Sequence, residues 1–237
     1  MNAEGTGPEG GSPEGETRAD QRGAAARFGV VLLLLLITYV FLAAGPSGHW
    51  VPFVAVVLQG ATLLAALAAA DANRKLWRVA EVVVFLGLVA ACGVWLTDLS
   101  NVDAILFVLN GLLVAGAPVV IATSLVRRRV VDIHTVMGAL CIYVLLGMLG
   151  AFIYGAIGGF GTSPFFAEQT HTNISDYLYF SFVTLTTVGY GDLTAADGLG
   201  RAVAVIEALT GQLYLVTVVA LVVSRMARLP RRRDDAG

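Results

Sequence analysis

Six apolar stretches, at residues 28–44, 50–70, 79–96, 104–126, 135–157 and 201–226, constrain this chain more than any other feature. A helix crosses a bilayer core with about 20 apolar residues, the range being roughly 17 to 25, and every stretch meets that length. Lipid offers the backbone no hydrogen-bonding partner, so each stretch is predicted to be helical. Only 14% of the residues are charged, against roughly 25% in soluble domains. The expected class is therefore an all-α integral membrane protein with six transmembrane helices. The first stretch ends in small residues, as a signal peptide does. Its leader is long and acidic, however, and its apolar run exceeds the roughly 7–15 residues of a signal core, so it is read as a retained helix. The two cysteines, Cys92 and Cys141, fall inside apolar stretches and read as small core residues. The net charge of −2 gives no reason to expect a nucleic-acid partner. No acid–base pair or nucleophile constellation marks an enzyme, and no cofactor or small-molecule ligand is evident.

The basic residues orient the chain. Fourteen of the fifteen Lys and Arg lie at alternate boundaries of the six stretches: Arg18, Arg22 and Arg27; Arg74, Lys75 and Arg78; Arg127–Arg129; and Arg225, Arg228 and Arg231–Arg233. Only Arg201 falls outside these groups. Cytoplasmic loops carry the excess of Lys and Arg, so both termini are expected in the cytoplasm, and the loop between the fifth and sixth stretches faces outward. The implied location is the plasma membrane, with the lipid bilayer as surroundings.

That outward loop holds a short helix signal, with Ser175 as its expected N-cap and Asp176 opening a helix to about Thr186. At 1.5 Å per residue it reaches only half-way across a membrane. A polar, glycine-containing run follows, Thr186-Thr187-Val188-Gly189-Tyr190-Gly191-Asp192. Gly189 and Gly191 permit positive φ without a Cβ clash, the freedom needed if successive carbonyls are to point to one side. Non-helical backbone at membrane depth is tolerated only where protein buries it or where it lines a wet path.

This run resembles the T-V-G-Y-G filter, followed by an acid, of the tetrameric potassium channels. The resemblance covers about residues 135–228, and the four preceding helices match such channels only in number and length. It implies that K⁺ is coordinated by the carbonyls of Thr187, Val188, Gly189 and Tyr190 and by the Thr187 hydroxyl, with Gly191 completing the filter. Thr186 and Asp192 would support it, together with Tyr179 and Phe180, which stand where relatives commonly carry a Trp pair. The stretch 201–226 is similar to the inner helix of these channels. Gly211 stands where relatives use a gating hinge, though it equally suits close packing. Gln212, Leu215, Val219 and Val223 recur on one face of that helix, which the resemblance assigns to the cavity. Glu207 is its one acid; a buried hydrogen bond to Ser181 or Thr184 and a gating proton site are its two readings. Stretch 104–126 holds no Lys or Arg, unlike a voltage-sensing helix.

The expected organisation is a disordered cytoplasmic tail at 1–26, a four-helix membrane bundle at 27–130, a pore domain at 131–229 with a re-entrant pore helix and filter loop between helices five and six, and a short cytoplasmic tail at 230–237. One chain supplies one filter strand, so the resemblance implies a homotetramer that conducts K⁺ passively. A potassium transporter component and a non-conducting membrane subunit are the alternatives.

Overall fold

A computed structural model of the chain describes residues 13–45, 48, 50–70, 72–96, 102–127, 133–168, 171–220 and 224. Their order is α1 (Pro13–Ala43), α2 (Val51–Ala69), α3 (Arg74–Leu96), α4 (Val102–Arg127), α5 (Ile133–Phe160), α6 (Ile174–Leu185) and α7 (Gly198–Tyr214), which runs on into a π-helical segment, Leu215–Val219. Among the described residues there is no strand, and a single antiparallel bridge joins Phe166 to Ala195. Five helical segments are long and apolar enough to cross a membrane: Val51–Ala69, Arg74–Gly93, Ala104–Leu125, Thr135–Phe160 and Gly198–Val218. The apolar part of α1, Arg27–Ala43, is shorter.

Several boundaries differ from the sequence reading. Helix α1 begins at Pro13, so the helix extends through residues 13–26, where a disordered tail is expected. The segment from Glu14 to Ala26 contains alanine and straight-chain polar residues that favour a helix once an apolar continuation anchors it. Residues 1–12, His49, Arg128, Arg129 and residues 225–237 lie outside the described set.

The apolar faces follow helical spacing. Phe28, Val31, Leu35 and Leu42 of α1 are buried, while Val30, Leu33, Leu36, Ile37 and Val40 on its other face are exposed. The buried face packs on α2 and α5 and reaches α6, where Tyr39 meets Phe182 edge-on with ring centroids 4.9 Å apart. Helices α4 and α5 form the most extensive pair. Cys141 is buried as expected, but Cys92 is exposed, because its side of α3 faces away from the other helices. The Gln59 amide is buried with no hydrogen-bond partner among the described residues.

Close contacts explain two glycines of α5. A Cβ at Gly147 would lie 2.7 Å from Phe182 Cζ, and one at Gly155 would overlap the Phe107 ring of α4. Overpacking of this kind typically costs about 1–3 kcal/mol. Gly155→Ala is accordingly expected to lower the thermal unfolding midpoint of the detergent-solubilised protein. An unchanged midpoint would show that α4 and α5 pack less closely than described.

Candidate functional site

Helix α6 starts earlier than the sequence reading has it. Asn173, not Ser175, is its N-cap: Asn173 Oδ1 accepts from Ser175 N–H at 2.9 Å and from Asp176 N–H at 3.2 Å. Asp176 Oδ2 in turn accepts from Asn173 N–H at 3.0 Å, closing a capping box. An asparagine carbonyl two residues upstream reaches both free amides, whereas Ser175 already lies inside the first turn. The helix ends at Leu185 with Thr186 as its C-cap. Its 12 residues span about 18 Å, too short to cross a bilayer core.

The last turn of α6 launches the loop. Thr187 N–H donates to Thr184 O at 2.9 Å, and Val188 and Gly189 N–H both donate to Val183 O, at 2.9 and 3.3 Å. Three alternate residues then take positive φ: Thr187 at 57°, Gly189 at 56° and Gly191 at 80°. Glycine was expected at two of these positions. Thr187 is the non-glycine in the set, and an L-residue resists this backbone hand. Its hydroxyl donates to Thr186 O at 2.7 Å and accepts from Gln212 Nε2 at 3.2 Å. Val188 and Tyr190 are 52% and 72% exposed, so the chain leaves this loop uncovered.

Beyond the loop, Asp192 accepts from Tyr179 O–H at 2.8 Å, and the Tyr179 and Tyr190 rings stack nearly parallel, 6.5 Å apart. Phe180 lies in a different group, an aromatic cluster with Tyr154, Phe165 and Phe166. That cluster braces the segment following Phe160, which is pinned to the segment after the loop by Ala167 N–H to Thr194 O at 3.0 Å and Ala196 N–H to Phe165 O at 2.8 Å.

Helix α7 begins at Gly198, three residues before the predicted start, because Asp197 caps it by accepting from Gly200 N–H at 2.7 Å. Gly211 packs directly on the end of α6: a Cβ there would overlap the Leu185 carbonyl and lie 2.8 Å from Leu185 Cδ1. One turn later the helix widens into the π-helical segment that contains Leu215, and such segments recur at functional sites. Leu215 is exposed. The backbone of Val219 is in this segment, but its side chain and all of Val223 lie outside the described set.

Glu207 is buried and bonded on both oxygens. Tyr154 O–H meets Oε2 at 2.5 Å, and Ser181 Oγ meets Oε1 at 2.6 Å. Ser181 was foreseen as a partner. Tyr154 was not, since it lies 53 positions away and nothing local in the sequence links the two. Tyr143 and Tyr214 were missed for the same reason: their rings stack at 5.9 Å, with their hydroxyls donating to Leu185 O (3.4 Å) and Ala139 O (2.7 Å).

An all-helical chain with five membrane-length helices among its described residues is a multi-pass membrane protein. Residues 139–228 match the family described as ion channel. Similar proteins include one of Rhodopseudomonas palustris named as a candidate potassium channel, 36% identical over 61 residues, covering 26% of this chain and 15% of the relative. Potassium voltage-gated channel subfamily A member 5 of Mustela putorius furo is 33% identical over 95 residues, covering 38% of this chain and 16% of the relative. Subfamily A member 7 of Mus musculus is 32% identical over 95 residues, covering 38% and 19%. The chain thus spans less than a fifth of the length of these relatives. Residues 139–228 are thus similar to ion channels, which are not enzymes, and these relatives carry potassium-channel names.

The Asp192 contact makes a prediction about pH. The hydrogen bond to Asp192 first, then desolvation and the nearby Asp192 charge, hold the Tyr179 phenol above its ordinary value of 10.0. A folded-state value raised in this way adds stability below the ordinary value that is lost as pH rises through the folded one. Asp192→Asn is expected to bring Tyr179 back towards 10.0, read from phenolate absorbance as the difference from Tyr179→Phe. An unchanged titration would show that the two side chains do not meet.

Proposed function

We propose that four copies of this chain form a potassium-selective channel through which K⁺ passes down its gradient. The observation that carries this reading is the positive φ at the alternate positions Thr187, Gly189 and Gly191, the backbone alternation that is needed if successive carbonyls are to point to one side. A row of carbonyls from four converging loops replaces the hydration shell of K⁺. On this reading Thr187, Val188, Gly189 and Tyr190 supply the carbonyls, Thr187 adds its hydroxyl, and Gly191 ends the row. Asp192, Tyr179 and Thr186 hold it from outside and below, and Phe180 braces α6.

The surface of the single chain favours a ring of copies. Only 11% of the membrane window of α7 is buried against the rest of the chain, against 50–56% for α2, α4 and α5. Val205, Ile206, Leu209, Leu213 and Val216 are all exposed. A closed ring gives both the loop and this face a partner. Helix α6 would enter the membrane and return as the loop, with its carbonyl end, where partial negative charge collects, towards the ion. Gln212 and Leu215 would line the cavity below, and α1 would supply a sixth span. Both termini would lie in the cytoplasm of a plasma-membrane protein, with residues 131–229 as the pore domain and 27–130 as a surrounding bundle. Because 104–126 carries no basic residue, gating would not depend on α4 moving charge through the field.

Flux from liposomes holding the purified protein tests this. Wild type is expected to pass K⁺ and exclude Na⁺. Gly189→Ala places a Cβ on a backbone with φ near +56°, a strain of order 1–3 kcal/mol, and is expected to abolish selective flux. Equal K⁺ and Na⁺ passage through the wild type would overturn the assignment.

A further inference from the structure

Behind the loop, three helices meet on one carboxyl group, and its hydrogen bonds do not balance if that group is ionised. Tyr154 of α5 reaches Glu207 Oε2 at 2.5 Å, Ser181 of α6 reaches Oε1 at 2.6 Å, and Ser181 Oγ also lies 2.5 Å from the Gly147 carbonyl. Ser181 and Tyr154 are fully buried and Glu207 is 9% exposed. A hydroxyl carries one proton and a carbonyl carries none. With a carboxylate at 207, Ser181 would have a single proton for two acceptors. One proton on Glu207 Oε1 resolves the count: Glu207 donates to Ser181, Ser181 donates to Gly147 O, and Tyr154 donates to Oε2.

We propose that Glu207 is held as a neutral carboxylic acid and is a positioning residue for the loop, its proton tying α7 to α6 and α5. This rests on the channel reading above and assigns Glu207 a role within it. The surroundings suit a neutral acid. Among the described residues, the hydrogen bonds of Glu207 come from Tyr154 and Ser181, neither of them a cation. From α5 the titratable groups facing it are Tyr154 and, further off, Tyr143. From α6 the facing group is Ser181. On α7 itself the basic residue is Arg201, whose guanidinium donates to Ala196 O at 2.7 Å. An ionised carboxylate without a cation is costly away from water, and a hydrogen-bonded acid is not.

The site is shaped for this carboxyl group. A Cβ at Gly150 would overlap Glu207 Oε1 and lie 2.7 Å from Ser181 Oγ, so only glycine leaves room there. The coupling to the loop is short: Val183, two residues after Ser181, accepts the N–H groups of both Val188 and Gly189. Fixing Ser181 therefore fixes the carbonyl from which the loop hangs.

The test joins infrared spectroscopy with flux on the same liposomes at neutral pH. Wild type minus E207Q should show the carbonyl stretch of a protonated carboxylic acid, and Y154F should move that band to higher wavenumber by removing one of its hydrogen bonds. In glutamine, N–H replaces the acid O–H and the amide oxygen still accepts from Tyr154. E207Q should thus keep K⁺ flux within about threefold of wild type, whereas E207A, which leaves Ser181 and Tyr154 unpaired, should lose about tenfold or more. A carboxylate band lost in E207Q instead, or flux as low in E207Q as in E207A, overturns the proposal. Should the wild type pass no K⁺ at all, the channel reading fails, while the infrared band still decides the state of Glu207.

Discussion

Backbone amides and carbonyls at membrane depth must find partners, since lipid supplies none. Helices satisfy this internally, and almost all of the described chain does so. The run after Leu185 does not. Its amides turn back on Val183 and Thr184, and the Thr186 carbonyl accepts from the Thr187 hydroxyl. The architecture around it follows from holding that irregular piece still. Helix α6 is anchored at its start by the Asn173–Asp176 capping box and at its end by Gly211 packed on Leu185. The loop is steadied on its far side by Tyr179 against Asp192 and Tyr190.

Rigidity there comes from packing at several depths. The aromatic group of Tyr154, Phe165, Phe166, Tyr177 and Phe180 joins α5, α6 and the segment between them. Tyr154 belongs both to this group and to the Glu207 hydrogen bonds, so the apolar and polar supports share a side chain. From the other side, Tyr39 of α1 touches Phe182 of α6. The first helix therefore contacts the helix that launches the loop, which gives the bundle a direct physical route to the proposed filter.

What the sequence disclosed, and what it concealed, divides by range. Apolar length revealed the long helices, and the glycines at 189 and 191 revealed where the backbone changes hand, because each is a property of adjacent residues. Contacts between distant residues were concealed: Tyr154 with Glu207, Tyr143 with Leu185 and Gln212 with Thr187 depend on how three helices cross. Choosing Asn173 over Ser175 as the cap required knowing which carbonyl oxygen reaches the free amides. The π-helical turn after Tyr214 has no signature in a run of Leu, Val and Thr. Thr187 at positive φ is the sharpest case, since residue type argues against the conformation and only the surrounding bonds enforce it.

On the proposed channel reading, the 187–191 loop is one quarter of an ion site and is complete only in a ring. The mass of the detergent-solubilised particle in K⁺, measured by native mass spectrometry, tests this most directly. The account predicts four copies of the 24.8 kDa chain, with the assembly less heat-stable when Na⁺ replaces K⁺. A folded monomer or dimer, equally stable in either ion, would contradict it.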